Sequence, residues 1–195
     1  MTTSLLRCPA GLLLALLLAA CSGVPLSSIP RLAALQAELL DGDPAEFALA
    51  VQVDERMVPP PGAAPTLNIE LRPLEEGAFE PWLRKLPMRV THLAPKVLPE
   101  AGHGRRWLVY RLTPDAQAEF LRSRVRLAQV RAERQGKSGG SLAIGMAQEG
   151  LAADDPRLAH THWESWLQTS ARGGFFKLWS GTLDDLKKQA RAPGR

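Results

Sequence analysis

Apolar and polar residues alternate in several segments between residues 47 and 179, and this alternation predicts that most of the chain forms β-strands. In the first segment Leu49, Val51 and Val53 alternate with small or polar residues, as expected for a strand with one buried face. Residues 105–112 carry apolar side chains on both faces, which indicates a central strand covered on both sides. The predicted strands are residues 47–54, 66–72, 88–92, 105–112, 142–147, 161–170 and 174–179.

Helical spacing of apolar residues interrupts this alternation at three places. Residues 30–40 predict a short amphipathic helix, which lies either against the domain or on a bilayer. Thr113 and Pro114 predict the start of a long helix that runs to about residue 135, because Thr is a good N-cap and Pro is favoured at the first helical position. A last short helix is predicted to begin at Thr182 and to end before Pro193. The predicted buried stripe of the long helix consists of Ala116, Phe120, Leu127 and Ala128.

Seven strands around one embedded helix predict a mainly antiparallel β fold at the border of the α+β class. The arrangement is either a two-sheet sandwich or a curled sheet with the long helix across it, with short helices near the two termini. Strands and helices do not alternate regularly, so a doubly wound parallel sheet with its nucleotide-binding crevice is not expected.

The N-terminal residues form an apolar run that follows a single charge, Arg7, and ends at small residues. This pattern is typical of a secretory signal and is too short to span a membrane. The run closes on Leu18-Ala19-Ala20-Cys21, which resembles the lipobox of bacterial lipoproteins position by position. The alternative is an ordinary cleaved signal peptide in which the cysteine stands at the cut site by chance.

The lipoprotein resemblance implies cleavage before Cys21, a diacylglycerol thioether on the Cys21 sulfur and usually a third acyl chain on the new amino terminus. Two or more chains hold a protein stably on a bilayer, whereas one chain binds only marginally. Ser22 after the cysteine implies delivery to the outer membrane of a Gram-negative host. The expected organisation is a signal peptide at 1–20, a lipidated tether with a short helix at 21–45 and a single periplasmic β-rich domain at 46–195.

Composition narrows the chemistry that the mature chain can perform. Removal of residues 1–20 leaves 175 residues with one cysteine, Cys21, which the resemblance assigns to the lipid. No intramolecular disulfide, thiol nucleophile or Cys-ligated metal is then expected, and no cofactor is predicted.

Charge is distributed unevenly along the chain. Residues 31–83 carry a net charge of −7 and residues 84–137 a net charge of +9. Arg122, Arg126 and Arg134 lie on the long helix and are candidates for a salt-sensitive contact with anionic lipid or another anionic envelope component. Alternatively, the acidic and basic blocks lie against each other within the fold. Nucleic acid is not an expected partner, because of the compartment and because no binding motif is present.

Short motifs suggest catalytic chemistry only weakly. Ser138 stands in a Gly-Lys-Ser-Gly-Gly stretch that fits the nucleophile-elbow pattern, but a helix precedes it and a strand follows, the reverse of what an elbow needs. His160 and His162 are the candidates for a metal site, but no further spacing of His and carboxylate residues supports one, so no metal ligand is assigned. Trp166 shares a polar strand face with His162 and Glu164, and is either an exposed anchor for a partner or a side chain covered by a helix.

These observations together predict a membrane-anchored envelope lipoprotein that acts as a non-enzymatic interaction or assembly module. An alternative is a module that binds a lipid or glycan in a groove between sheet and helix. A second alternative is a serine hydrolase, which requires Ser138, a histidine and a carboxylate to converge. Expected partners are the membrane, through the covalent lipid, and an envelope protein or anionic lipid.

Overall fold

Seven strands form one antiparallel sheet in the order β5-β2-β3-β4-β1-β6-β7. The structure, a computed structural model, describes residues 41–73, 75–76, 79–91, 97–133, 140–148, 151 and 155–191. Cys21, the predicted signal peptide and the predicted helix at 30–40 lie outside these residues. The strands are β1 (Ala48–Asp54), β2 (Thr66–Pro73), β3 (Trp82–Thr91), β4 (Arg105–Leu112), β5 (Gly140–Ala147), β6 (His162–Gln168) and β7 (Phe176–Thr182).

The sheet curls into a half-barrel, and β3 connects its two halves. Residues 82–87 of β3 pair with β2, whereas residues 88–91 pair with β4. The alternation of residues 88–92 predicts only the second part of this strand. The first part was missed because residues 83–85 are all exposed, so no apolar alternation marks it. The predicted mainly antiparallel fold with one long helix is confirmed, and the strands form a single curled sheet.

The concave face of the sheet carries the hydrophobic core. Leu49, Val51 and Val53 of β1 are fully buried there, beside Tyr110 on β4 and Trp163 on β6. β4 lies in the middle of the sheet, as the sequence predicts.

β1 differs from its prediction as a half-buried strand, because its other face is also buried. Ala48 and Ala50 have no exposed surface. Their cross-strand neighbours on β4 and β6 are the much larger Arg111, Val109, Trp166 and Gln168. Side chains that extend past a small neighbour cover it, so a small residue between large ones is buried on either face of a sheet.

The long helix, α1 (Pro114–Glu133), packs across the sheet near β3 and β4. Its N-terminus is capped as predicted, since the hydroxyl of Thr113 accepts a hydrogen bond from the Ala116 amide at 3.2 Å. The predicted buried stripe is wrong at Ala128, which is exposed. The residues that are buried recur at helical spacing along α1. They include Ser123, whose hydroxyl donates to the Glu119 carbonyl at 2.7 Å. The buried residues are Ala116, Phe120, Ser123, Leu127 and Val130.

A short helix, α2 (Leu183–Arg191), follows β7 directly. Thr182 and Asp185 form a reciprocal cap. The Thr182 hydroxyl accepts from the Asp185 amide at 3.2 Å, and the Asp185 carboxylate accepts from the Thr182 amide at 3.0 Å. The predicted start at Thr182 is therefore confirmed. Within the described residues no helix has both the length and the apolar character needed to cross a membrane.

Candidate functional site on the outer face of the sheet

The convex side of β4, β1, β6 and β7, here called the outer face, gathers polar and aromatic side chains because the strands alternate. Strand pairing places Gln52 between Trp107 and Glu164, and places Ala50 beside Trp166. Four strands from three separate parts of the sequence thus contribute to one surface.

Trp107 and Trp166 form the aromatic centre of this surface, here called the Trp pair. Their ring centroids are 6.0 Å apart with an interplanar angle of 89°, an edge-to-face contact. The Trp107 indole N–H donates to the Pro99 carbonyl at 2.9 Å, and the Trp166 indole N–H donates to Glu164 Oε2 at 3.0 Å. Both rings remain partly exposed. An edge-to-face pair with satisfied N–H groups is a rigid apolar surface on a polar background.

Glu164 holds the Trp pair in place through a network of charged groups. Its Oε1 accepts from Lys177 Nζ at 2.9 Å, and the same ammonium lies 5.3 Å from the centre of the Trp166 ring. Burial raises the pKa of Glu164, but hydrogen bonds from Lys177 and Trp166 outweigh burial, and the pKa is lowered overall. The carboxylate is therefore ionised at neutral pH, and it orients Trp166 and Lys177 together.

His162 and Ser180 extend the network at its edge. His162 Nε2 lies 3.2 Å from the Ser180 hydroxyl and 3.5 Å from Glu164 Oε1. In a Ser-His-acid relay the serine and the carboxylate bind different nitrogens of the histidine ring. Here Nε2 of His162 faces both Ser180 and Glu164. This arrangement does not activate Ser180 as a nucleophile. Ser138, the predicted nucleophile candidate, lies outside the described residues.

A polar cleft of about 330 Å³ opens beside the Trp pair at the end of β1. Gly104 lies in the turn that forms one wall, where its φ of +68° is accessible to glycine at little cost. Arg105 Nη1 donates to Gln52 Oε1 at 3.1 Å, which joins the cleft to the Trp pair. The lining residues are Asp54, Glu55, Arg56, His103, Gly104, Arg105, Thr161 and His162.

Asp54 in the cleft is tied to its near neighbour Arg56. Arg56 Nη2 and Nε donate to the two carboxylate oxygens at 2.7 and 2.8 Å. This side-chain hydrogen bonding lowers the pKa of Asp54 to about 2. Among the described residues, no group of three or more His, Cys, Asp and Glu side chains is placed to hold a metal ion.

The predicted anionic-contact residues on α1 have different surroundings. Arg122 Nε donates to Glu119 Oε2 at 2.8 Å, and Arg84 Nε from β3 donates to the other oxygen of the same carboxylate at 2.9 Å. Arg126 is exposed on the helix, and Arg134 lies outside the described residues. Hydrogen bonds lower the pKa of Glu119, the one from Arg122 more than the one from Arg84. Partial burial acts in the opposite direction and is outweighed.

Other arginines of the basic block contact the backbone of the acidic block. Three of them donate to carbonyl oxygens. Arg106 donates to the Met57 carbonyl at 2.6 Å, Arg111 to the Ala45 carbonyl at 3.3 Å and Arg124 to the Gly42 carbonyl. Arg124 also stacks on the Phe120 ring at 4.7 Å. Among the described residues, these three bonds join the basic block to backbone carbonyls of the acidic block.

The structure places Trp166 on the polar face that the sequence predicts, together with His162 and Glu164. Its contacts with Trp107, Glu164 and Lys177 all come from the sheet itself. Trp107 and Lys177 were missed, because sequence alternation does not show which strands become neighbours. The cleft was missed for the same reason.

The chain matches no protein-family model, and no curated protein and no solved structure is significantly similar to it.

Proposed function

We propose that this chain is a lipid-anchored protein of the bacterial envelope, facing the periplasm, whose sheet domain binds another envelope protein without catalysing a reaction. The observation that carries the binding proposal is the partly exposed Trp pair on the outer face. The anchor rests on the lipobox resemblance at Cys21, and with Ser22 it supports an outer-membrane location.

The physical case for a protein partner rests on how binding energy concentrates at interfaces. Tryptophan is enriched among the residues that contribute most to interface affinity, and such residues act best when they are rigid and surrounded by polar groups. Trp166 meets both conditions, since Glu164 and Lys177 fix its ring and are themselves polar. Little side-chain entropy is then lost on binding.

The binding proposal is tested by crosslinking and mass spectrometry on intact cells that express the full chain. Trp166→Ala should reduce the yield of the main crosslinked partner at least ten-fold. The matched control is Val125→Ala, which removes an exposed apolar side chain from α1, 59% exposed, and should leave the yield unchanged. Equal yields from both variants, with melting curves that show both are folded, would overturn the proposal.

The anchor is tested separately. Cys21→Ser should shift the protein from the detergent phase to the aqueous phase or leave an uncleaved precursor, because the acyl chains have no other attachment site in the lipoprotein pattern. Unchanged partitioning would refute lipidation at Cys21 and leave the binding proposal standing.

The polar cleft favours a second candidate, binding of a glycan. A polar lining next to an aromatic surface suits a sugar, whose hydroxyls need hydrogen-bond partners and whose C–H faces pack on rings. Arg105→Ala and His103→Ala should then weaken binding of soluble cell-wall muropeptides, measured by calorimetry, and leave the protein crosslinks intact. The reverse result favours the protein partner alone.

A contact of α1 with anionic lipid is a weaker part of the proposal. The exposed Arg126 supports it, whereas Arg122 is already paired with Glu119. Binding to anionic vesicles should therefore fall with rising salt and should depend on Arg126 more than on Arg122.

A further inference from the structure

The solvent side of α1 carries a second apolar stripe, next to Arg124. Leu121 stands three residues before Arg124 and Ala128 stands four residues after it, so on a helix the three side chains are neighbours. Leu121 is 47% exposed, and Ala128 is exposed as well. These two residues are here called the Leu121 stripe. Val125 extends the exposed apolar surface further around the helix, away from Arg124. Apolar side chains at this spacing form a strip on which another helix can pack.

The chain enters the described part of the structure beside this stripe. Asp41 has a helical backbone, and the carbonyl of Gly42 accepts a hydrogen bond from Arg124. Burial lowers the pKa of Arg124, and the carboxylates of Asp41 and Asp43 act in the opposite direction, so both acidic side chains lie near the guanidinium. The segment that precedes residue 41 is therefore joined to the chain at the flank of α1.

That segment has an apolar pattern that matches the stripe. Residues 30–40 are the amphipathic helix that the sequence predicts, and they lie outside the described residues. Three of its leucines recur at intervals of three and four residues: Leu32, Leu35 and Leu39. They span seven residues, as do Leu121 and Ala128, which corresponds to about two turns or about 10 Å on either helix. The small side chain of Ala128 permits a close approach of a second helix.

We propose that residues 30–40 form a helix that packs its leucine face on the Leu121 stripe of α1. Only Asp41 separates this segment from Gly42, which already contacts α1 through Arg124. The connection is short, so little loop-closure entropy is lost when the segment docks.

Charge favours this segment over a second copy of the chain as the occupant of the stripe. Residues 31–43 contain one basic and three acidic residues, a net charge of −2, whereas α1 carries Arg122, Arg124 and Arg126 around the stripe. Two copies of α1 in contact would bring these like charges together, which opposes association. The alternative destination of the leucine face is a lipid surface.

Taken with the anchor proposed at Cys21, the docked helix shortens the tether. Only residues 22–29 then connect the lipid to the folded domain, a reach of at most about 28 Å. This consequence rests on the proposed anchor, whereas the docking itself does not.

Hydrogen exchange of the amides of residues 33–40 tests the docking in the detergent-solubilised full chain. Leu121→Gln should accelerate this exchange at least five-fold, because it removes the larger apolar side chain of the stripe. The matched control is Leu83→Gln on β3, which should leave the exchange unchanged. Leu83 is also 47% exposed, but it faces away from α1, since its neighbour Arg84 bonds to Glu119 of that helix. Unchanged exchange of β1 shows that the sheet is folded in each variant.

A double variant distinguishes docking on α1 from burial of the leucines in lipid or detergent. Leu35→Gln should accelerate the exchange of residues 33–40 at least five-fold by itself, and much less when Leu121→Gln is already present, because both substitutions disrupt one contact. Wild-type exchange as fast as that of an unfolded peptide would overturn the proposal, as would equal exchange in Leu121→Gln and Leu83→Gln. Independent effects of Leu35→Gln and Leu121→Gln would also overturn it and would assign the leucine face to the lipid surface.

Discussion

The two edge strands, β5 and β7, end the same sheet but are built in different ways. β7 pairs with β6 through a register shift near Trp166, carries Lys177 near its start and leads directly into α2, which packs against it. β5 has an uninterrupted register and no charge. The bulge and the lysine each discourage further pairing at β7, and the described residues of β5 contain neither.

The same comparison holds for the glycines of the two strands. At Gly181 on β7, an added Cβ would lie 2.6 Å from Cζ2 of the Trp179 ring, so the indole covers the position where a side chain would be. At Gly145 on β5 that space is empty. The comparison teaches that the Trp179 side chain fills the space beside Gly181, whereas the position beside Gly145 is open.

Removing the large side chain at each edge should give the largest difference between the two strands. Trp179 is buried in the core, so Trp179→Ala should lower the free energy of unfolding by about 3–5 kcal/mol. Ile144 is only partly buried, and Ile144→Ala should cost about half of what a fully buried site loses, roughly 1–2.5 kcal/mol. Urea unfolding measures both changes.

Trp179→Phe is the control for the loss of the ring at β7. The Trp179 indole N–H is buried, and no hydrogen-bond acceptor for it is found in the described structure. Phe keeps most of the apolar volume and removes that donor, so the loss should be well below that of Trp179→Ala. Equal losses for Trp179→Ala and Ile144→Ala would show that the β7 edge is not the better packed one.

Most of the fold could be predicted from local sequence patterns, because alternation and capping act within a few residues. Thr113 and Thr182 mark the starts of α1 and α2 through hydrogen bonds to amides three residues away. Ala128 was placed in the wrong stripe because it lies one position from Leu127, and only packing against the sheet decides which of the two is buried. The first half of β3 was missed because its residues 83–85 are exposed and its pairing with β2 is non-local.

The candidate site could be predicted only in part, because it is assembled by strand order. Trp166, His162 and Glu164 lie at alternate positions of one strand. Because strand side chains alternate between two faces, the sequence alone predicts that these three share a face. Trp107, on a strand more than fifty residues earlier in sequence, reaches Trp166 only because β1 lies between β4 and β6. No local pattern encodes that order.

Substituting the two glycines tests the comparison at single positions. Gly181→Ala should lower the free energy of unfolding by about 1–3 kcal/mol, the range for forcing extra atoms into a packed site. Gly145→Ala should leave stability unchanged or raise it by up to about 1 kcal/mol, because alanine costs less backbone entropy than glycine. Thermal and urea unfolding would both report the difference, and a destabilisation at Gly145 equal to that at Gly181 would contradict it.

Acid titration should give the smallest effect and tests the charged network that lies next to the β7 edge. The pKa of Glu164 is lowered from its ordinary value of 4.5, so the folded state holds the carboxylate ionised more strongly than the unfolded state does. The stability that Glu164 contributes is therefore fully present above about pH 5 and is lost as the pH falls through its folded pKa.

Glu164→Gln should lower the free energy of unfolding by about 1 kcal/mol at pH 7, and the difference from wild type should shrink as the pH falls below 4.5. The matched control is Glu70→Gln on β2, which removes an exposed ion pair with Arg72 and should change stability by less than about 0.5 kcal/mol throughout. Trp fluorescence during urea unfolding between pH 3 and pH 7 measures both variants. A Glu164→Gln difference that stays constant over this range would mean that the carboxylate charge does not stabilise the Trp pair.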